Sequence, residues 1–255
     1  TIILLLVAGS VYAVTRYPYE QIGRVWSTER LTGRADVPRL ARPAWANAFR
    51  SDDLLSVLKM SDTDPNATRT EDVLENGWKA VTTTYAINYE YGDFPSEINL
   101  YFDSSFVEKR PFVSLTWITP DGREFNLKSI STESSTSYPW ATALNIRRLV
   151  SANANWQAWF NFGQIDPTPP FYVLFADPLA DEPQLVKGMY RLVVNALLFE
   201  DGAQISSDLV LLGHVYGAAG TDYLRRDLIV PLLWGMPFAL VIGLVGALLT
   251  TLLAM

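Results

Sequence analysis

The chain has 255 residues, 49% of them hydrophobic, and a formal net charge of −7. That acidic balance argues against a nucleic-acid partner, which would need a basic face. The absence of cysteine excludes disulfides and thiolate metal sites, and the single histidine, His214, leaves no basis for a histidine metal centre or catalytic triad. The apolar excess sits at the two ends and the middle is polar. This suits two membrane segments around one extramembrane domain of roughly 180 to 200 residues.

Thr1 to Val14 (TIILLLVAGSVYAV) is uncharged and apolar but too short to span alone. It reads as the second half of a transmembrane helix whose first half is missing from the chain. Tyr12, Tyr17, Tyr19 and Trp26 suit the aromatic belt of a membrane interface. Ser51 to Met60 (SDDLLSVLKM) reads as a short helix with Ser51 as N-cap. Ser61 to Asn76 is polar and reads as loop.

Strand patterns follow. Trp78 to Tyr91 (WKAVTTTYAINYEY) alternates with period two, and Glu97 to Phe102 is a shorter strand. Arg110 to Thr119 and Arg123 to Leu127 form a hairpin about the turn Pro120-Asp121-Gly122. Ser129 to Ser137 reads as a Ser/Thr-rich loop. Trp140 to Phe162 reads as an amphipathic helix, with Trp140, Trp156, Trp159 and Phe160 as candidate docking aromatics; plugging the end of a sandwich core is the plainer role. Phe171 to Phe175 (FYVLF) reads as a buried strand. Gly188 to Leu212 reads as a hairpin about Asp201-Gly202, similar to the closing hairpin of immunoglobulin-like sandwiches. Asp93, Asp103, Asp121 and Asp201 fall in expected turns. No phosphate loop, nucleophile elbow or metal cluster stands out, so neither enzymatic activity nor a cofactor is implied.

The last stretch divides in two. His214 to Asp227 is Gly-rich and charged; Leu228 to Met255 has no ionisable side chain and is long enough to cross a bilayer. Arg225, Arg226, Asp222 and Asp227 admit two readings. Either the arginines anchor the chain at the water boundary, or Asp222 pairs with Arg226 in a turn that sets how the helix enters the membrane.

Gly220-Thr221-Asp222, then Arg226-Asp227, then an apolar helix resembles the GTD-x-x-GRD signature before the second transmembrane helix of DppC/OppC-type permeases. These are the inner-membrane subunits of dipeptide, oligopeptide and nickel ABC importers. Ala41-Arg42-Pro43-Ala44-Trp45 resembles the Pro-containing motif after their first helix. The likeness covers about ninety residues at the two ends. Where the signature has glycine before Arg-Asp this chain has Arg225; glycine suits a positive φ there, so the departure predicts a rebuilt turn.

The expected fold class is a membrane protein: two transmembrane helices flanking a mainly-β, immunoglobulin-like extracytoplasmic domain with one or two short helices. Its segments are a first membrane helix over 1–15, a connecting segment over 16–50, the inserted domain over 51–213, an interfacial segment over 214–227 and a second membrane helix over 228–255. The resemblance implies an inner-membrane permease subunit surrounded by lipid and other integral subunits: a partner permease, two cytoplasmic ATPases and a solute-binding protein. The family's ATPase-coupling loop would lie beyond Met255. Two further readings stand beside it. One is a two-helix accessory subunit with the sandwich as docking module; the other is a membrane-anchored binding domain with an aromatic pocket around Trp140, Trp156 and Trp159.

Overall fold

A computed structural model describes residues 2–18, 22, 34–127, 129–139 and 171–255. The expected Trp140–Phe162 helix, with Trp140, Trp156, Trp159 and Phe160, lies outside the described residues, as do Tyr19 and Trp26. The chain divides into two compact units, Asn47–His214, and Thr1–Ala46 with Val215–Met255.

The Asn47–His214 unit is a mainly-β sandwich. Its strands are β1 (Val57–Ser61), β2 (Ala67–Val73), β3 (Lys79–Tyr89), β4 (Glu97–Ser105), β5 (Phe112–Ile118), β6 (Glu124–Asn126), β7 (Ile130–Ser131), β8 (Ser135–Pro139), β9 (Gly188–Leu198) and β10 (Gln204–Leu212). One sheet has the order β1-β10-β4-β8. The other has β2-β3-β9-β5-β6, with β7 also on β5. Side-chain alternation drives the packing. Val81, Tyr85, Ile87 and Tyr89 of β3 and Tyr190, Leu192, Val194 and Ala196 of β9 face a core closed from the other sheet by Ile98, Leu100, Phe102, Leu209 and Leu211. The chain changes sheet between β1 and β2, β3 and β4, β4 and β5, β7 and β8, β8 and β9, and β9 and β10. That is jelly-roll connectivity, in place of the expected immunoglobulin-like one.

The Gly188–Leu212 hairpin is therefore corrected to an arch. Gly202 does take a turn conformation (φ 80°), but the turn joins sheets rather than neighbours. The reason is competition for ladder partners. β9 pairs over its whole length with β3 and along Phe112–Ile118 with β5, while β10 pairs along nine residues with β4 and along five with β1. Both strands are thus flanked on either side and have no open edge. Glu200 fastens the arch, its carboxylate accepting the N–H groups of Val107 (2.7 Å), Glu108 (2.8 Å) and Lys109.

Other expectations also change. The Ser51–Met60 helix is instead a bend followed by β1, because Val57–Ser61 pairs with Asp208–Leu212 and the ladder overrides the local capping signal. The Ser61–Asn76 loop contains edge strand β2, and the Ser129–Ser137 loop contains β7 and the start of β8. Asp103 lies within β4 rather than in a turn. Phe171–Phe175 is a short helix, α2. Val173, Leu174 and Phe175 are fully buried, so the expectation of burial holds and the strand does not. By contrast the β5–β6 hairpin forms about Gly122 as expected (φ 85°).

The other unit holds α1 (Ile2–Arg16) and, numbered in chain order, α3 (Ile229–Ala254). At 1.5 Å per residue α3 is about 39 Å long, against about 30 Å for a bilayer's hydrocarbon core. It is the one described helix long and apolar enough to cross a membrane. Only Val230 along it is buried, while Phe238, Ile242, Leu248 and Leu253 are exposed. Pro231 sits in the first turn, where no helical donor is needed; Pro237 leaves the Leu233 carbonyl without its helical partner. The end of α1 meets the start of α3, where Trp234 Nε1 donates to the Tyr17 carbonyl (3.0 Å). A side chain at Gly9 would strike the Met236 sulfur.

Candidate functional site: the connector between the apolar helices

The segment Pro38–Trp45 lies along Val215–Asp222, and backbone bonds stitch the two together. Arg42 and Val215 form a parallel bridge. Tyr216 N donates to Arg42 O and Ala44 N to Gly217 O (both 2.8 Å), Thr221 N to Ala41 O (3.0 Å) and Leu40 N to Asp222 O (3.1 Å). Trp45 Nε1 donates to the Ala218 carbonyl (3.0 Å).

Each motif residue has a distinct task in this seam. Gly220 has φ 76°, and a Cβ on it would lie 2.3 Å from the Ala41 carbonyl oxygen. Only glycine allows that approach in that conformation. Thr221 is buried; its Oγ1 donates to Pro38 O (2.7 Å) and accepts from Ala41 N (3.0 Å). Asp222 is the hub. Its Oδ1 accepts the N–H groups of Leu224 (2.9 Å) and Arg226 (2.8 Å), and its Oδ2 accepts Arg226 Nε and pairs with Nη2 (both 2.6 Å). The expected Asp222–Arg226 pair is present. Asp227 Oδ1 accepts Ile229 N (3.0 Å) in the first turn of α3, where a negative charge suits the helix dipole.

Arg225 corrects the expectation of a rebuilt turn. It takes a left-handed conformation (φ 61°) of the kind glycine suits, at a cost of about 1 kcal/mol. Its side chain offsets part of this through Nη1, which donates to Val37 O (2.5 Å). Leu40 is also left-handed (φ 50°). The N–H of Leu40 ends on the Asp222 carbonyl, and so does the N–H of Arg225, both at 3.1 Å, so one acceptor holds two strained positions. Nothing in the sequence marks Leu40, because a leucine carries no positive-φ signal. Replacing Arg225 with glycine is expected to relieve the strain while losing the Val37 bond. The net change in unfolding free energy should stay within about 1 kcal/mol, and a denaturant melt reads it.

Burial pushes the Asp222 carboxyl up, but the Arg226 N–H, the Arg226 guanidinium and the Leu224 N–H outweigh it and hold the group below 3.8. A folded pKa below the unfolded one stabilises the connector above about pH 4. That contribution shrinks as pH falls through 3.8 and vanishes below the lowered folded value. Asp222→Asn keeps an acceptor for the two N–H groups and removes the ion pair. It should cost about 1–2 kcal/mol at pH 7 and abolish the acid-dependent part, as amide exchange at Arg226 between pH 3 and 7 would register.

In the sandwich unit an open groove of about 660 Å³ is lined by Asp62, Arg69, Glu71, Lys79, Asp103 and a set of serines. Its charges are largely paired among themselves: Arg69 with Asp62 and Glu71, and Lys79 with Glu71. Among the described residues no cluster of side chains could hold a metal ion. The aromatic pocket expected around Trp140, Trp156 and Trp159 falls outside the described residues.

The sequence matches no family model and no curated protein. Among solved structures, similar chains include the C-terminal CBM6 of LamC, a laminarinase from Zobellia galactanivorans, at 8% identity, covering 61% of this chain and 99% of that one with a TM-score of 0.28. Another is the family 11 carbohydrate-binding module of cellulase Lic26A-Cel5E from Clostridium thermocellum, at 11% identity, covering 72% and 98% with a TM-score of 0.26. These scores are too low to support an argument about this chain. The jelly-roll assignment rests on its own strand order.

Proposed function

We propose that the chain is a permease-type membrane subunit of an ABC importer of the dipeptide, oligopeptide and nickel class, with a jelly-roll domain inserted between its first two helices. One observation carries this reading. The two stretches that resemble the family's motifs, 41–45 and 220–227, are direct hydrogen-bonded partners, although Ala41 and Thr221 stand 180 residues apart in the chain. A seam this closely fitted accounts for the Gly-Thr-Asp residue types. In this reading α1 and α3 lie in the inner membrane, the jelly roll is extracytoplasmic, and transport is powered by ATP bound to separate subunits.

The test is purification of the native protein from its own membranes in mild detergent. A second permease and two ATPase subunits should accompany it, with the solute-binding protein recovered by crosslinking. Isolation in a stable complex lacking any ATPase would sink the importer reading. It would favour instead a two-helix accessory subunit with the sandwich as docking module. That alternative has one observation in its favour: the described residues of the sandwich unit share a hydrophobic core of their own.

A further inference from the structure

We infer that the rim of the connector is a binding surface for anionic lipid headgroups, formed by Arg39, Arg42, Leu40, Trp45 and Tyr223. The inference rests on the membrane placement just proposed and adds a lipid class to it.

Level is the first argument. Leu228 N, at the start of α3, donates to the Gly220 carbonyl (3.0 Å), and Gly220 lies against the Ala41–Arg42 peptide with no room for a Cβ. The Ala41–Arg42 peptide therefore sits beside the first turn of the apolar helix. With α3 in a bilayer, that is the depth of the headgroups.

Composition is the second. Between Arg34 and Trp45 the chain has three arginines against one aspartate, on a protein whose total charge is −7. Arg39 and Arg42 are exposed. A locally basic segment beside a membrane helix on an acidic chain suits a negative lipid surface, and each arginine near such a surface contributes about a fivefold gain in affinity.

Leu40 adds an apolar group to this rim. It holds a left-handed backbone conformation, fixed by its bond to Asp222 O, and its side chain is 73% exposed. On the same connector Trp45 and Tyr223 are 60% and 65% exposed. Amphipathic rings and an aliphatic side chain among arginines match the interface of a bilayer, where apolar groups enter the acyl boundary and guanidinium groups meet phosphate.

The full-length protein is reconstituted in phosphatidylcholine vesicles with a trace of labelled phosphatidylglycerol or labelled phosphatidylcholine, and the enrichment of each label around the protein is measured by energy transfer from its tryptophans. The wild type should enrich phosphatidylglycerol over phosphatidylcholine. Arg39→Gln with Arg42→Gln should remove most of that preference, bringing the two enrichments close to equal. Arg39→Lys with Arg42→Lys should keep most of it, since the charge remains. An unchanged melting temperature of the Gln variant establishes that it is folded. Equal enrichment of the two lipids in the wild type overturns the inference and leaves the membrane placement standing. Failure of the wild type to resist extraction from vesicles at alkaline pH overturns the membrane placement instead. A Gln variant that keeps its lipid preference but loses a co-purifying subunit would make the rim a protein interface and overturn the inference.

Discussion

Replacing Gly220 with alanine is expected to open the connector and detach the start of α3 from it. Two costs add. Alanine at φ 76° pays about 1–2 kcal/mol for the left-handed backbone. Its Cβ would also sit 2.3 Å from the Ala41 carbonyl oxygen and 3.2 Å from the Arg42 carbonyl carbon. Both are backbone atoms that cannot rotate away, and overpacking of this kind costs about 1–3 kcal/mol. The sum, about 2–5 kcal/mol, falls on the Thr221–Ala41 and Leu228–Gly220 bonds. Gly122 provides the control. Its φ is 85°, and a Cβ added there would meet nothing within 4 Å, so Gly122→Ala pays the backbone cost alone. Hydrogen exchange at Thr221 and Leu228 should accelerate by a factor of roughly thirty or more in Gly220→Ala and stay unchanged in Gly122→Ala. Equal protection in the two variants would show that the close approach at Gly220 does not hold the connector together. In the importer reading this variant should also lose uptake, since the second helix no longer enters the membrane from a fixed turn.

What could be read in the sequence depends on how local the controlling physics is. The alternation in Lys79–Tyr89 and Gly188–Leu198 is written residue by residue, because one face of each strand is buried. Pro120-Asp121-Gly122 encodes its turn in three positions. The partner of a strand is not local. Asp201-Gly202 has hairpin chemistry and yet joins two sheets, because β3, β5 and β4 decide where β9 and β10 lie. Ser51 to Met60 has a helix cap and loses it to the β10 ladder. Five apolar residues at Phe171–Phe175 carry no period that separates a buried strand from a buried helix. At the connector, Gly220, Thr221, Asp222 and Arg226 were legible through resemblance, and the Asp222–Arg226 pair through charge. Leu40 was not, since its left-handed backbone is held by a bond to Asp222 from far along the chain; Arg225 was flagged as the site of a glycine-like turn, but that an arginine would hold the positive φ itself, in a local bond to Asp222, was not.

Trp117→Ala should be the most destabilising single change in the sandwich. The indole is fully buried in an aromatic cluster, with Phe175 at 5.3 Å and Tyr190 at 5.5 Å between ring centroids. Phe175 in turn lies 4.9 Å from Tyr89 and 4.5 Å from Tyr190. Trp117 Nε1 donates to the Leu174 carbonyl (3.2 Å), which ties β5 to α2 and closes that end of the core. Truncation leaves a cavity worth about 3–5 kcal/mol and a carbonyl without its donor, about 1 kcal/mol more. For a unit of this size the melting temperature should fall by roughly 10–15 °C, followed by the near-ultraviolet signal of the cluster. Trp117→Phe keeps most of the volume and loses the bond, so a fall of roughly a third of that is expected. Equal melting of the two variants would mean that the hydrogen bond to α2, rather than the packed ring, holds the end of the sandwich. A loss confined to Trp117→Ala would place the stability in packing.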